Sequence, residues 1–155
     1  MRTLGVFVDV HNLYKNIKRK YGAKLDYKKY FEWLQVIGEV KLAYAYGCQL
    51  EDESKEFIAC LEAAGFIPKY KTVLTFERQG KTVKVFPSWD CGMTLDIVKA
   101  AEDVDMVILG SSSSNFCPLI EHLDKPVVVF AAMIDKGLAA DAFEAIEIPN
   151  SLMVR

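Results

Sequence analysis

Asp9 closes an otherwise apolar run, Thr3 to Val10 (TLGVFVDV), and Asn12 follows three residues later. A carboxylate buried in such a run is strongly unfavourable without a cation or several hydrogen-bond donors. Asn12 can orient that carboxylate or hold a ligand through its amide. The alternative is structural, because aspartate is a favoured helix N-cap. A second cluster, Trp89-Asp90-Cys91-Gly92-Met93-Thr94-Leu95-Asp96, sets two carboxylates six positions apart. On a helix that spacing is a rotation of about 240°, so Asp90 and Asp96 cannot share a face. One can point at a ligand while the other braces the core. Asp90 stands at the expected helix start, so N-capping competes with cation binding there too. Thr94 shares the face of Asp90, and Gly92 permits close backbone approach.

A third cluster is the polar turn Ser111-Ser112-Ser113-Ser114-Asn115-Phe116, which follows the apolar run VDMVIL. Where such a turn opens a helix, its N–H groups and hydroxyls can attract an anion such as phosphate. Equally, Ser112 or Ser113 can serve as a plain N-cap. His11, beside Asp9, can touch substrate or act as a general acid, or be an ordinary surface histidine. His122 suits the carboxyl end of a helix, where a cation is favoured. No glycine-rich phosphate loop, dinucleotide fingerprint or serine–histidine–acid set occurs. Cys48, Cys60, Cys91 and Cys117 lack CxxC spacing. That argues against zinc or a redox pair and for a reduced intracellular protein with free thiols.

The formal net charge of −2 conceals two basic segments. Residues 15 to 29 carry Lys15, Lys18, Arg19, Lys20, Lys24, Lys28 and Lys29 against Asp26 alone, a balance of +6. Residues 69 to 84 carry Lys69, Lys71, Arg78, Lys81 and Lys84 against Glu77, a balance of +4, so the remainder sums to −12. Local basic surface on an acidic protein suits a polyanion, although lysine-rich helices are also ordinary solvated faces. Tyr14, Tyr21, Tyr27, Tyr30, Tyr70 and Phe76 lie among these residues. Aromatic and basic residues together suit stacking on single-stranded bases, and helical spacing equally suits core positions.

The elements that must position these groups follow from periodicity. The 155 residues, 52% hydrophobic and 26% charged, suit one folded domain. Strands are expected at Thr3–Val10, Glu39–Tyr46, Phe66–Leu74, Val104–Leu109 and Pro126–Ala131, with a short edge strand at Glu147-Ile148. Thr82–Phe86 is expected to pair with Phe66–Leu74 across the turn Arg78-Gln79-Gly80-Lys81. Helices are expected at Leu13–Tyr21, Asp26–Gln35, Asp52–Ala64, Asp90–Ala101, Ser114–Leu123 and Leu138–Ala145, the third capped near Asp52 or Ser54 and stopped by Gly65. Alternating strands and helices imply a mostly parallel, doubly wound sheet. Such sheets bind ligands beyond the carboxyl ends of the strands, where strand order reverses. That singles out the loop after Asp9 and the turn from Gly110 to Asn115. No apolar run approaches the ~18 residues of a membrane span, and the amino terminus lacks the features of a signal peptide.

Together the motifs resemble the NYN domain family of PIN-like nucleases, over Leu4 to about Asp141. The family pattern reads roughly D-x-x-N, then K-G-x-W-D-x-G-x-x-x-D, then S-G-D-x-D-F. Asp9, Asn12, Asp90, Gly92, Asp96, Ser111 and Phe116 stand at matching places, and Asp141 more loosely at a late acidic one. The chain departs from the pattern at Ser113 and Asn115, where the family has aspartate, and at Pro87-Ser88, where it has K-G. The resemblance implies a three-layer, Rossmann-like α/β domain. It also implies a ribonuclease in which Mg²⁺ or Mn²⁺ activates water against an RNA phosphodiester; such hard cations want oxygen ligands.

By that resemblance Asp9, Asp90, Asp96 and Asn12 would be catalytic, with Asp9, Asp90 and Asn115 holding the metal. Ser111, Ser112, Ser113 and Ser114 would meet phosphate together with Lys15, Lys18, Arg19, Lys71 and Lys81. Serine is a poor neutral ligand and asparagine carries no charge, so efficient two-metal catalysis is not expected. Losing two carboxylates also removes repulsion toward a polyanion. Two readings stand: a weakened RNA endonuclease, or a non-catalytic nucleic-acid-binding or regulatory module on the nuclease fold. Natural divergence and deliberate disabling substitution look alike in sequence. An RNA partner and a cytoplasmic location go with either reading, no membrane partner is expected, and an apolar helix face could support a homodimer.

Overall fold

The computed structural model describes residues 1–49 and 54–154. The chain opens with β1 (Thr3–Asp9) and turns directly into α1 (Val10–Tyr21), because Asp9 is itself the N-cap. Gly22, at φ 61°, ends α1 in the left-handed region that a glycine enters without strain. A two-residue strand, β2 (Lys24–Leu25), precedes α2 (Tyr27–Ile37), whose first amides are capped by Asp26. Then come β3 (Glu39–Gln49), α3 (Lys55–Ala64) and β4 (Ile67–Thr72). The expected start of α3 at Asp52 lies outside the described residues.

The hairpin β5 (Leu74–Arg78) and β6 (Lys81–Val85) forms its own small sheet. Its turn residues Gln79 and Gly80 both have positive φ, 53° and 74°, the geometry of a tight two-residue hairpin turn. The turn is where its chemistry put it, but the partner strand differs from the expected Phe66–Leu74. Val73 is buried and its N–H bonds the Gln49 carbonyl at 2.7 Å. The chain up to Val73 is therefore committed to the main sheet, and pairing with β6 begins only at Leu74.

The second half contains α4 (Asp90–Ala101), β7 (Met106–Gly110), a 3-10 turn (Ser114–Phe116), α5 (Cys117–His122) and β8 (Val127–Ala131). The expected helix Leu138–Ala145 is instead α6 (Lys136–Asp141), capped by Asp135, followed by β9 (Glu144–Glu147). Phe143 donates its N–H to the Val127 carbonyl at 2.9 Å, and β9 then pairs with β8. Tertiary pairing there overrides the helical preference of alanine and glutamate. The short β10 (Met153–Val154) closes against β2.

Six strands form the main sheet in the order β4-β3-β1-β7-β8-β9, and each pairing is parallel. The chain leaves β1 toward β3 and β4, then returns to the other side of β1 with β7. The switch in direction lies between β1 and β7, whose ends carry Asp9 and Ser111. Every residue of β7 and β8 is buried, as expected where helices cover both faces. Gly110 lets the two strand ends pack closely. A Cβ there would lie 2.9 Å from the Val8 side chain and 3.1 Å from the Tyr30 hydroxyl. Among the described residues no helix is long and apolar enough to cross a membrane. All four cysteines are free.

Tyr30 ties α2 to this core: it is fully buried, stacks on Phe130, and donates its hydroxyl to the Phe130 carbonyl at 2.9 Å. Tyr30→Phe removes the donor and keeps the ring. It is expected to lower stability by about 1–2 kcal/mol, read in urea as a lower midpoint with an unchanged slope.

Candidate functional site

Asp9 brings its carboxylate to the carboxyl end of β1, where Oδ1 accepts the Asn12 N–H at 3.1 Å. Capping and burial therefore coexist in one residue. Asn12 turns its amide the other way, toward the turn after β7. Its Oδ1 accepts the Ser112 N–H at 3.0 Å, and its Nδ2 donates to Ser112 Oγ at 3.2 Å. Asn16, one turn further along α1, donates to the same hydroxyl at 2.7 Å. These bonds clamp the first turns of α1 to the loop after β7, so Asn12 and Ser112 hold the frame of the site.

The serine run is engaged in the same way. Ser111 is fully buried, and its Oγ accepts the Ser113 N–H at 3.2 Å. Ser113 caps the 3-10 turn by accepting the Asn115 N–H at 3.2 Å. Ser114 is exposed. Asn115, so positioned, donates its Nδ2 to Asp90 Oδ2 at 2.8 Å. Asp90 is the first residue of α4 and not its cap: Trp89 holds that place, and Ser88 Oγ accepts the Asp90 N–H. Its carboxylate is thereby available to the site.

The carboxyl of Asp9 is perturbed by its surroundings. Burial is the largest influence on Asp9 and raises its carboxyl above the usual range. The Asn12 amide opposes this, and the negative charge of Asp90 adds to it. Two acids that resist sharing charge are a natural place for a cation.

Asp96 stands apart from them. It accepts the Tyr46 hydroxyl and the Lys69 ammonium, each at 2.8 Å. Burial pushes its carboxyl up, but the bonds from Lys69 and Tyr46 together prevail and hold it below the usual range. Lys69 also sits 4.1 Å from the centre of the Tyr44 ring. The helical rotation that separates Asp90 from Asp96 thus leaves Asp90 with Asn115 and Asp96 with the strands beneath α4. Asp141 closes α6 beside Pro126 and Val127 and bonds the thiol of Cys117, the first residue of α5.

Among the basic residues, Lys71 lies 4.1 Å from the centre of the Trp89 ring and reaches the Ser88 carbonyl. That places it beside the segment leading into Asp90. Trp89 in turn donates its indole N–H to the Gly47 carbonyl at 2.8 Å. Lys15, Lys18 and Arg19 are exposed along α1, and Lys81 is exposed at the tip of the β5–β6 hairpin. His11 stacks against Phe86, with ring centres 5.9 Å apart. The sequence reading passed over Asn16, Tyr46 and Lys69. Asn16 had a visible signal, a polar residue on the face shared by Leu13 and Ile17. Lys69 and Tyr46 had none, because their partner is distant in the chain.

Two carboxylates with an adjacent amide fit one Mg²⁺ or Mn²⁺, a cation that keeps several waters and needs only one or two protein carboxylates. No group of three or more His, Cys, Asp or Glu gathers among the described residues.

The NYN domain family model matches residues 3–148. A protein of unknown function from Vibrio parahaemolyticus, known from its crystal structure, superposes with a TM-score of 0.85 at 28% identity. The match covers 99% of this chain and 96% of that one. No curated protein matches.

The raised carboxyl of Asp9 has a stability consequence. A group whose folded-state value is raised favours the fold while protonated and loses that contribution as pH rises through the raised value. Ionised Asp9 is then a burden at neutral pH. Asp9→Asn keeps a competent cap and removes the charge. It is expected to raise Tm at pH 7, with the advantage shrinking as pH falls toward the ordinary carboxylate value. Thermal melts across pH check this.

Proposed function

This chain belongs to the NYN domain family, and from that premise we propose that it is a divalent-cation-dependent RNA endonuclease working with a reduced acidic site. The observation that carries the reading is the coupling of Asp9 and Asp90. They come from a strand end and a separate helix, the charge of Asp90 reaches Asp9, and Asp9 stands at the switch point of a parallel sheet, where such folds place their ligands. Asp9 and Asp90, with Asn115 alongside, would hold one Mg²⁺ or Mn²⁺, which would supply a Lewis acid and a bound water of lowered pKa.

The remaining residues set up and steady that centre. Asn12, Asn16 and Ser112 fix the first turns of α1 relative to the loop after β7. Ser113 sets Asn115, and Asn115 orients Asp90. Lys15, Lys18 and Arg19 continue α1 from the site, and Lys71 sits beside the entry to Asp90, so these cations can hold backbone phosphates. Lys81 adds charge at the hairpin tip. With the serine turn engaged in its own hydrogen bonds, phosphate binding falls mainly to the lysines. RNA affinity should then fall with salt, by a log–log slope of about −0.7 per phosphate contacted.

A second reading has its own support. Asp96 is tied to Lys69 and Tyr46, which leaves two carboxylates where the family pattern has more, so the chain could bind RNA without cutting it. Two substitutions separate the readings. Ser113→Asp preserves a capping oxygen, and Asn115→Asp replaces a donor to Asp90 with a third negative charge. Asn115→Asp alone is expected to cost about 1–2 kcal/mol without metal, recovered on adding Mn²⁺, as read by thermal melts.

With labelled single-stranded RNA, the wild type is expected to cleave slowly and only with Mg²⁺ or Mn²⁺. Asp9→Asn should lower that rate by about 100-fold, the scale for losing one electrostatic contact to a transition state. The double variant should cleave faster than wild type. RNA retained without metal-dependent cleavage, in both wild type and double variant, would establish the binding module. No RNA retention even at low salt would remove the nucleic-acid role altogether.

A further inference from the structure

A cavity of about 760 Å³ opens next to the acidic centre. Its walls are the first turns of α1 and α2, one face of α3, and the carboxyl ends of β3 and β4. Its size falls within the roughly 300–1,000 Å³ of small-molecule sites. The lining is mostly apolar and rich in rings: Tyr14, Tyr27, Phe57, Tyr70 and Phe86. It is no sealed packing defect. Tyr14, Phe57 and Phe86 remain 47%, 37% and 56% exposed, so aromatic faces are presented to solvent. Clustered exposed apolar surface of this kind marks binding sites more often than chance.

Two features say what the cavity suits. First, it is continuous with the acidic centre. Val10 and His11, the residues after Asp9, form part of its wall. The charge of Asp9 also reaches two other wall residues, Tyr27 and Cys48. Second, Lys24 and Lys28 line it together with Asp26, whose carboxylate is engaged in capping α2, so two cations stand beside the rings against one anion. An apolar lipid tail or peptide would use the rings alone. A nucleotide uses both, with its base between aromatic faces and its phosphate near the lysines. The wall is also purpose-built at one point. A Cβ on Gly47 would stand 2.4 Å from the Tyr70 ring, so Tyr70 can lie over the strand only because residue 47 has no side chain.

We infer that this cavity accepts one unpaired base of a single-stranded RNA whose backbone crosses Asp9 and Asp90. The inference rests on the nucleic-acid reading above and adds to it a base-binding pocket, which selects unpaired over duplex substrate. Stacking on aromatic side chains is sequence-tolerant, so the pocket reads strandedness before it reads sequence.

The test is fluorescence anisotropy with a labelled single-stranded RNA at low salt, in EDTA so that binding is separated from cleavage. A single abasic nucleotide is walked along the same RNA. Two variants disable the pocket in opposite ways. Tyr14→Ala with Phe57→Ala removes exposed rings, and Cys60→Trp fills the space, so a folding defect in one is not shared by design with the other. Each is expected to weaken binding about 10-fold, within the range for losing stacked bases. In the wild type the abasic substitution should cost about the same at one position only, and it should cost the variants nothing further. Wild-type affinity in both variants, alongside firm wild-type binding, would overturn the pocket and leave the nucleic-acid reading standing. Failure of the wild type to bind RNA would overturn both.

Discussion

A half-buried carboxylate, Asp9, ends the central strand of a parallel sheet, with the like charge of Asp90 near enough to reach it. Such an arrangement is unfavourable by itself, and the surrounding structure is what maintains it. β1, buried from Leu4 to Val8, delivers Asp9 at its end, and the capping bond from the Asn12 N–H holds the side chain. α4 delivers Asp90 at its first turn, where Trp89 and Ser88 serve the helix start and leave the carboxylate to the site. Asn115 then supplies a neutral donor against Asp90. The clamp of Asn12 and Asn16 onto Ser112 makes the first turns of α1 and the loop after β7 one rigid unit, because a shift of either would break several bonds around one buried hydroxyl.

The allocation of polar groups around that centre explains why it is reduced. Asp96 lies on another face of α4 and neutralises Lys69, so it contributes to packing on β3 and β4. Ser113 and Asn115, where the family pattern carries aspartate, contribute a cap and an amide. The site therefore holds fewer negative charges than the pattern implies, and its remaining polar atoms mostly bind one another. In the proposed nuclease this charge balance would suit one loosely held cation rather than two. The proposed nuclease and the alternative binding module differ only in whether the remaining pair suffices for hydrolysis.

The aromatic cavity changes how the basic segments read. Lys24 on β2 and Lys28 on α2 flank a ring-lined opening whose wall includes the start of α1. Lys15, Lys18 and Arg19 extend the same charge along α1. A single-stranded polyanion can thus be met by cations and by stacking surfaces within one contiguous region, whichever of the two functional readings holds.

Much of this was legible in the chain itself. The buried runs ending in Asp9 and Gly110, the alternation of strands and helices, and the Asp90–Asp96 rotation follow from local sequence, because burial and helical geometry act over a few residues. They set Asp9 and Gly110 at the carboxyl ends of adjacent parallel strands and separated the two carboxylates of α4. The boundaries near Val73 and Ala142 were not legible, because backbone pairing with β3 and β8 overrode local preference there. Nor could the chain alone show that Asn12 faces Ser112, that Lys69 claims Asp96, or that Asp141 bonds Cys117. Each depends on a partner dozens of residues away. The strength of a hydrogen bond or charge interaction depends on distance in space, which only the completed sheet decides.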